Sequence, residues 1–147
     1  MKRPLDGDIT KLRVNRTLHG RSVYRNKDVP GHNVFMGYSG RDGDAIDLFT
    51  LAGMPVYAME NSTVIQIATE GAKARLRLAG HYTIMYAHIH VKDGYTVGSY
   101  IKEGEVIGYV SDLLSDPHLH LEVSQNGKSL SAPTARQLSK KISALYI

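Results

Sequence analysis

The chain has 147 residues and no cysteine, and its 18 basic against 14 acidic side chains give a net charge of +4. That length suits one domain with a proper core, and the missing thiols exclude disulfides and cysteine-ligated metal. No apolar run is long enough to cross a bilayer, and the modest basic excess lacks the aromatic-interleaved motif of a nucleic-acid face, so neither membrane insertion nor a nucleic-acid partner is expected.

Met1-Lys2-Arg3-Pro4-Leu5-Asp6-Gly7-Asp8 starts basic, but no apolar stretch follows, and no signal peptide is read there. Residues 1–30 are polar and irregular, with Lys11, Arg13, Arg16, Arg21, Arg25 and Lys27 among them. They read as an arm packed on, or extending from, the domain that follows. From Ala45 the chain becomes a series of short strands. Ala45-Ile46-Asp47-Leu48-Phe49 alternates, and Pro55-Val56-Tyr57-Ala58 and Thr63-Val64-Ile65-Gln66-Ile67 come next, separated by the turn formers Glu60-Asn61-Ser62. Ala74-Arg75-Leu76-Arg77-Leu78 turns through Ala79-Gly80-His81 into Tyr82-Thr83-Ile84-Met85-Tyr86-Ala87-His88, a hairpin pattern. Lys92-Asp93-Gly94-Tyr95 is a turn. A short strand lies between Val97-Gly98 and Glu103-Gly104-Glu105, and Val106-Ile107-Gly108-Tyr109-Val110 is another. Many short strands with glycine turns predict a mainly β fold, an antiparallel β-sandwich or half-open barrel. Residues 133–147 read as a short C-terminal helix, with Ser131 as cap, Pro133 in the first turn, and Leu138, Ile142 and Leu145 forming an apolar packing stripe.

The most informative segment is Pro117-His118-Leu119-His120-Leu121-Glu122-Val123. In a strand Leu119, Leu121 and Val123 point into a core, while His118, His120 and Glu122 point the other way. Two imidazoles aimed at one space suit a metal, proton transfer, or both, although histidine pairs also occur on ordinary exposed strand faces. Asp47 shares a face with Ala45 and Phe49, opposite Ile46 and Leu48. Strict alternation puts His88 on the face of Tyr86 and Ile84. His90 reads as a solvent-facing residue at a strand end, His81 as a loop residue, and His19 has no assignment. Asp112 and Asp116 read as loop caps before His118.

These pieces occur in a fixed order: Ala45-Ile46-Asp47-Leu48, an Ala52-Gly53 turn, Met54-Pro55-Val56-Tyr57-Ala58, Tyr86-Ala87-His88-Ile89, Ile101-Lys102-Glu103-Gly104-Glu105-Val106-Ile107-Gly108, and the histidine strand. Together, over residues 31–132, they resemble the lysostaphin-type zinc endopeptidases that cut peptidoglycan peptides. The resemblance implies a duplicated-hybrid-motif-like β fold that binds Zn2+. It makes Asp47 and His120 metal ligands, His118 the base or proton shuttle, and His88 a catalytic residue that orients water or stabilises the oxyanion. One position departs from the pattern. Four residues before the aspartate the family most often has histidine, and here Gly43 offers no side chain. His32, set upstream by an inserted loop of residues 33–44, is the candidate third ligand. Tyr38 is a poorer one, because a neutral phenol binds zinc weakly.

The function the resemblance implies is a zinc-dependent endopeptidase cutting a stem or cross-bridge peptide of bacterial peptidoglycan. It would act outside the cytoplasm on the cell wall, as a host wall hydrolase, a phage lysin or a virion enzyme. The alternative, invited by Gly43, is a degenerate, non-catalytic domain of the same type that grips a partner or activates another hydrolase. A carbohydrate-binding or lipoyl-like β-domain shares the glycine-punctuated strands but gives no account of the histidines.

Overall fold

The computed structural model describes residues 1–5, 23–25, 35–37, 45–115, 117–125, 128–129 and 145. Among the described residues the chain forms strands and no helix. In order they are β1 (Val23–Arg25), β2 (Phe35–Gly37), β3 (Ala45–Phe49), β4 (Pro55–Tyr57), β5 (Ser62–Ala68) and β6 (Arg75–Ala79). There follow β7 (Thr83–Ala87), β8 (Ile89–Val91), β9 (Tyr100–Ile101), β10 (Val106–Val110), β11 (His118–Gln125) and β12 (Lys128–Ser129). The strands read from the sequence between Ala45 and Val123 are all present, within a residue or two at each end. Among the described residues β1 and β2 pair only with each other; they, β8 and β12 are additions, because segments of two or three residues carry no readable period. The expected C-terminal helix lies outside the described residues, apart from Leu145, which is partly buried against the core.

The larger sheet runs β12-β11-β7-β6-β5-β9, with β3 also hydrogen-bonded to β11. A smaller sheet runs β4-β10-β8. The core lies between them: Leu76, Leu78, Ile84, Tyr86, Leu119 and Leu121 from the first meet Val56, Ile89, Ile107 and Val110 from the second. This is an antiparallel sandwich whose strands send alternate side chains into the core, with β7 buried on both faces from Ile84 to Ala87. In β6 the alternation is explicit: Leu76 and Leu78 are buried while Arg75 and Arg77 face the other way.

Two local features tighten the frame. The first residues join it: Leu5 is fully buried and bridges Val56, and the Tyr57 amide donates to the Pro4 carbonyl at 2.7 Å. At Gly108, on β10, a Cβ would collide with the His90 carbonyl of β8. Only glycine lets these two strands pair so closely, and β8 begins directly after His88.

Candidate active site

The long strand β11 organises the site because it is paired along both edges. On one side His120 stands opposite Asp47 of β3, and on the other it stands opposite Ala87 of β7. Directly opposed residues share a face. The register therefore puts position 47, His120 and Ala87 in one row across the larger sheet, on the side away from the core. His118 and His120 are 7% and 6% exposed, whereas Leu119 and Leu121 are fully buried in the core, so the alternation read from the sequence holds here.

His88 reaches this face by another route. Alternation alone would send it inward with Tyr86 and Ile84, both of which are in the core. Instead its backbone is left-handed, with φ of 61°. This is an uncommon conformation for a residue with a Cβ, and it breaks the period between β7 and β8. The expectation that His88 shares a face with Tyr86 and Ile84 is therefore corrected. The kink is held at both ends. The amides of His88 and Ile89 donate to the Ala74 carbonyl at 3.0 and 3.4 Å, and the His88 carbonyl accepts from the Ser111 amide at 2.9 Å.

The three imidazoles converge. The His88 and His118 rings lie 4.8 Å apart between centroids, edge to face, and His88 and His120 lie 5.7 Å apart. One ring nitrogen from each of the three falls within 4.8 Å of the others. The His88 Nδ1 lies 2.6 Å from the Ala72 carbonyl oxygen. A carbonyl only accepts, so Nδ1 carries the proton in the neutral ring and Nε2 carries the lone pair. The His120 Nε2 lies 3.1 Å from Glu122 Oε1, an arrangement in which a carboxylate fixes the orientation of the ring. Glu122 was legible in the sequence as a neighbour on the same face, but its orienting contact was not. An open groove of about 310 Å³ runs over His88, His120, Glu122 and Met85.

The remaining sequence candidates sort simply. His32 lies outside the described residues, as do Gly43, Asp116 and the loop of residues 38–44. Asp47 is placed by its backbone register alone. His90 is half exposed and its Nε2 is 3.0 Å from Asp112 Oδ1, away from the histidine cluster. That imidazole holds the Asp112 carboxyl below its ordinary range, so Asp112 has a partner as well as its place in the loop. His81 sits in the loop between β6 and β7, as expected, with its ring against Tyr82.

Residues 41–132, more than half of the chain and including β3, His88 and β11, match the family model for peptidase family M23. The chain belongs to this family. No curated protein matches it significantly. Solved M23 structures share its fold. A zinc-containing peptidase from Vibrio cholerae superposes with a TM-score of 0.58 at 23% identity, over 88% of this chain and 38% of that one. The peptidase lysostaphin from Staphylococcus simulans gives 0.54 at 24% identity, over 72% and 48%. The M23 metalloprotease pseudoalterin, from the deep sea, gives 0.54 at 18%, over 63% and 61%. The M23 chain described here thus spans less than two thirds of each of these relatives. At such identities the likeness establishes the common fold.

Proposed function

We propose that this M23 chain is a zinc-dependent endopeptidase that hydrolyses a stem or cross-bridge peptide of bacterial peptidoglycan, and so acts on the cell wall. The observation that carries the reading is the convergence of His88, His118 and His120 beside the strand that bears Asp47. Imidazole nitrogens with a carboxylate are a donor set suited to zinc rather than to calcium or magnesium, which prefer oxygen. His120 and Asp47 are the proposed ligands from the sheet, with His32 as the third. Bound zinc would polarise the peptide carbonyl and acidify a water molecule.

The protein's own groups do the rest. Glu122 holds the His120 ring in place. His118 accepts the proton from the attacking water and passes it to the amine that leaves as the C–N bond breaks. The Ala72 carbonyl fixes the His88 Nδ1 proton, so the neutral ring offers Nε2 as an acceptor that orients the water. When that ring is protonated, the same nitrogen donates to the oxyanion.

The test is zinc content by elemental analysis together with release of peptides from purified wall, with and without chelator. We expect chelator to abolish cleavage, and His120→Ala and His32→Ala each to lower zinc content. Full zinc occupancy in His32→Ala would remove His32 from the ligand set. Gly43, standing where the family most often has a metal-binding histidine, favours a second reading, a non-catalytic partner-binding domain. A zinc-loaded protein that cleaves no wall type would support that reading instead.

A further inference from the structure

The groove beside the histidine cluster is strongly cationic. Three of its lining residues are Lys73, Arg75 and Arg77, and its acidic member, Glu122, is engaged by His120. Register explains the position of the arginines. Ala87 stands opposite His120 on one side and opposite Arg75 on the other, so His120, Ala87 and Arg75 form one row. Adjacent strands are spaced by about 5 Å, which puts the Arg75 backbone about 10 Å from that of His120. Ala87, between them, has the smallest side chain that still belongs to the strand pattern, so the row dips there. In the next row Glu122, Met85 and Arg77 stand opposite one another in turn.

Among the described residues the two arginines are positioned by neutral partners alone. Arg77 Nε donates to Gln66 Oε1 at 3.2 Å, and its Nη2 lies 3.4 Å from Met85 Sδ. Arg75 Nη1 donates to the Lys73 carbonyl at 3.2 Å. Among the described residues no carboxylate forms an ion pair with Lys73, Arg75 or Arg77. An arginine fork oriented by neutral partners, with hydrogen-bond donors still to spare, matches a planar carboxylate. Simple surface solvation would not require both arginines to be oriented along the same groove that holds the histidines.

We propose that Arg75 and Arg77, with Lys73 at the rim, form a subsite for a free carboxylate of the bound peptide, within one or two residues of the bond to be cut. This deepens the peptidase reading and rests on it. The carboxylate comes from an acidic side chain or from the free α-carboxyl end of the peptide, two sources with one chemistry.

The test uses the full chain loaded with zinc and carrying His118→Ala, so that affinity can be read by titration calorimetry whether or not a bond is cut. The probes are one cross-linked wall peptide in four forms: all carboxylates free, side-chain carboxylates amidated, the α-carboxylate amidated, and both amidated. We expect the fully amidated form to bind about tenfold more weakly than the free form. The singly amidated form that shows this loss identifies the source. Arg75→Gln with Arg77→Gln should bind the free form as weakly as the amidated one, while zinc content and thermal stability stay unchanged. Equal affinity for free and amidated forms, absence of binding by any form, or discrimination that survives in the double variant would overturn the subsite. If the discrimination is present but the unmutated protein cuts none of the peptides, the peptidase reading falls and with it the placement beside a cleaved bond, leaving a carboxylate site on a peptide-binding domain.

Discussion

The strands β11 and β7 lie side by side and are paired residue for residue, yet they deliver their histidines in opposite ways. β11 keeps strict alternation: Leu119 and Leu121 enter the core, and His118 and His120 take the outer face at no conformational cost. β7 keeps its alternation only as far as Ala87. It then spends one left-handed residue to turn His88 away from the core face of Tyr86. A regular strand places two groups on one face about 7 Å apart, and its regular neighbour β7 offers only Ala87 opposite His120; the third imidazole comes from the next residue, where the period of β7 is broken. The neighbour's break is secured by backbone hydrogen bonds to Ala74 and Ser111.

The largest expected effect is on the regular strand. His118→Ala should lower turnover of a wall peptide by about 10²- to 10⁴-fold, the usual worth of a positioned acid–base group. Zinc content should stay the same, as elemental analysis will check. Loss of zinc along with activity would make His118 a ligand instead of a base. Next comes the core side of the same strand. Leu119→Ala should destabilise the fold by about 2–5 kcal/mol in urea unfolding, since a fully buried leucine leaves a cavity. A cost under about 1 kcal/mol would mean that the two faces of β11 are less distinct than their burial indicates.

On β7 the corresponding core contact is polar. The Tyr86 hydroxyl accepts the buried Met59 amide at 2.9 Å. Tyr86→Phe should therefore cost about 1–3 kcal/mol, because it strands a buried donor. Burial also pushes the Tyr86 hydroxyl pKa up from its ordinary value of 10.0. A raised folded-state pKa contributes stability that is complete below the unfolded value and lost as pH rises beyond it. Stability should thus decline above about pH 10, and the decline should be shallower in Tyr86→Phe. The smallest effect isolates the kink. His88→Gly and His88→Ala both remove the imidazole, but only alanine keeps the left-handed penalty. The glycine variant should be more stable than the alanine variant by about 1 kcal/mol. Equal stabilities would show that the kink relaxes once the ring is gone.

The outer shape of this arrangement was legible in the chain itself. The period of two in Leu76-Arg77-Leu78 and in Leu119-His120-Leu121 dictated which side chains enter the core. The glycines at 53, 94 and 104 marked turns that do adopt positive φ. The two histidines of β11 could be put on one face with no structure at all. The site histidine that alternation misplaced was His88, because nothing local distinguishes Tyr86-Ala87-His88 from a longer strand. Its left-handed φ comes from hydrogen bonds to Ala74 and Ser111, 14 and 23 residues away in the chain.

What the sequence determined by itself was therefore the inventory and the faces, because alternation is a property of a single strand. Register was a tertiary decision: which residue of β11 stands opposite Asp47, and that Ala87 links His120 to Arg75 in one row. It depends on how separate strands slide until both their apolar faces and their backbone donors are satisfied at once.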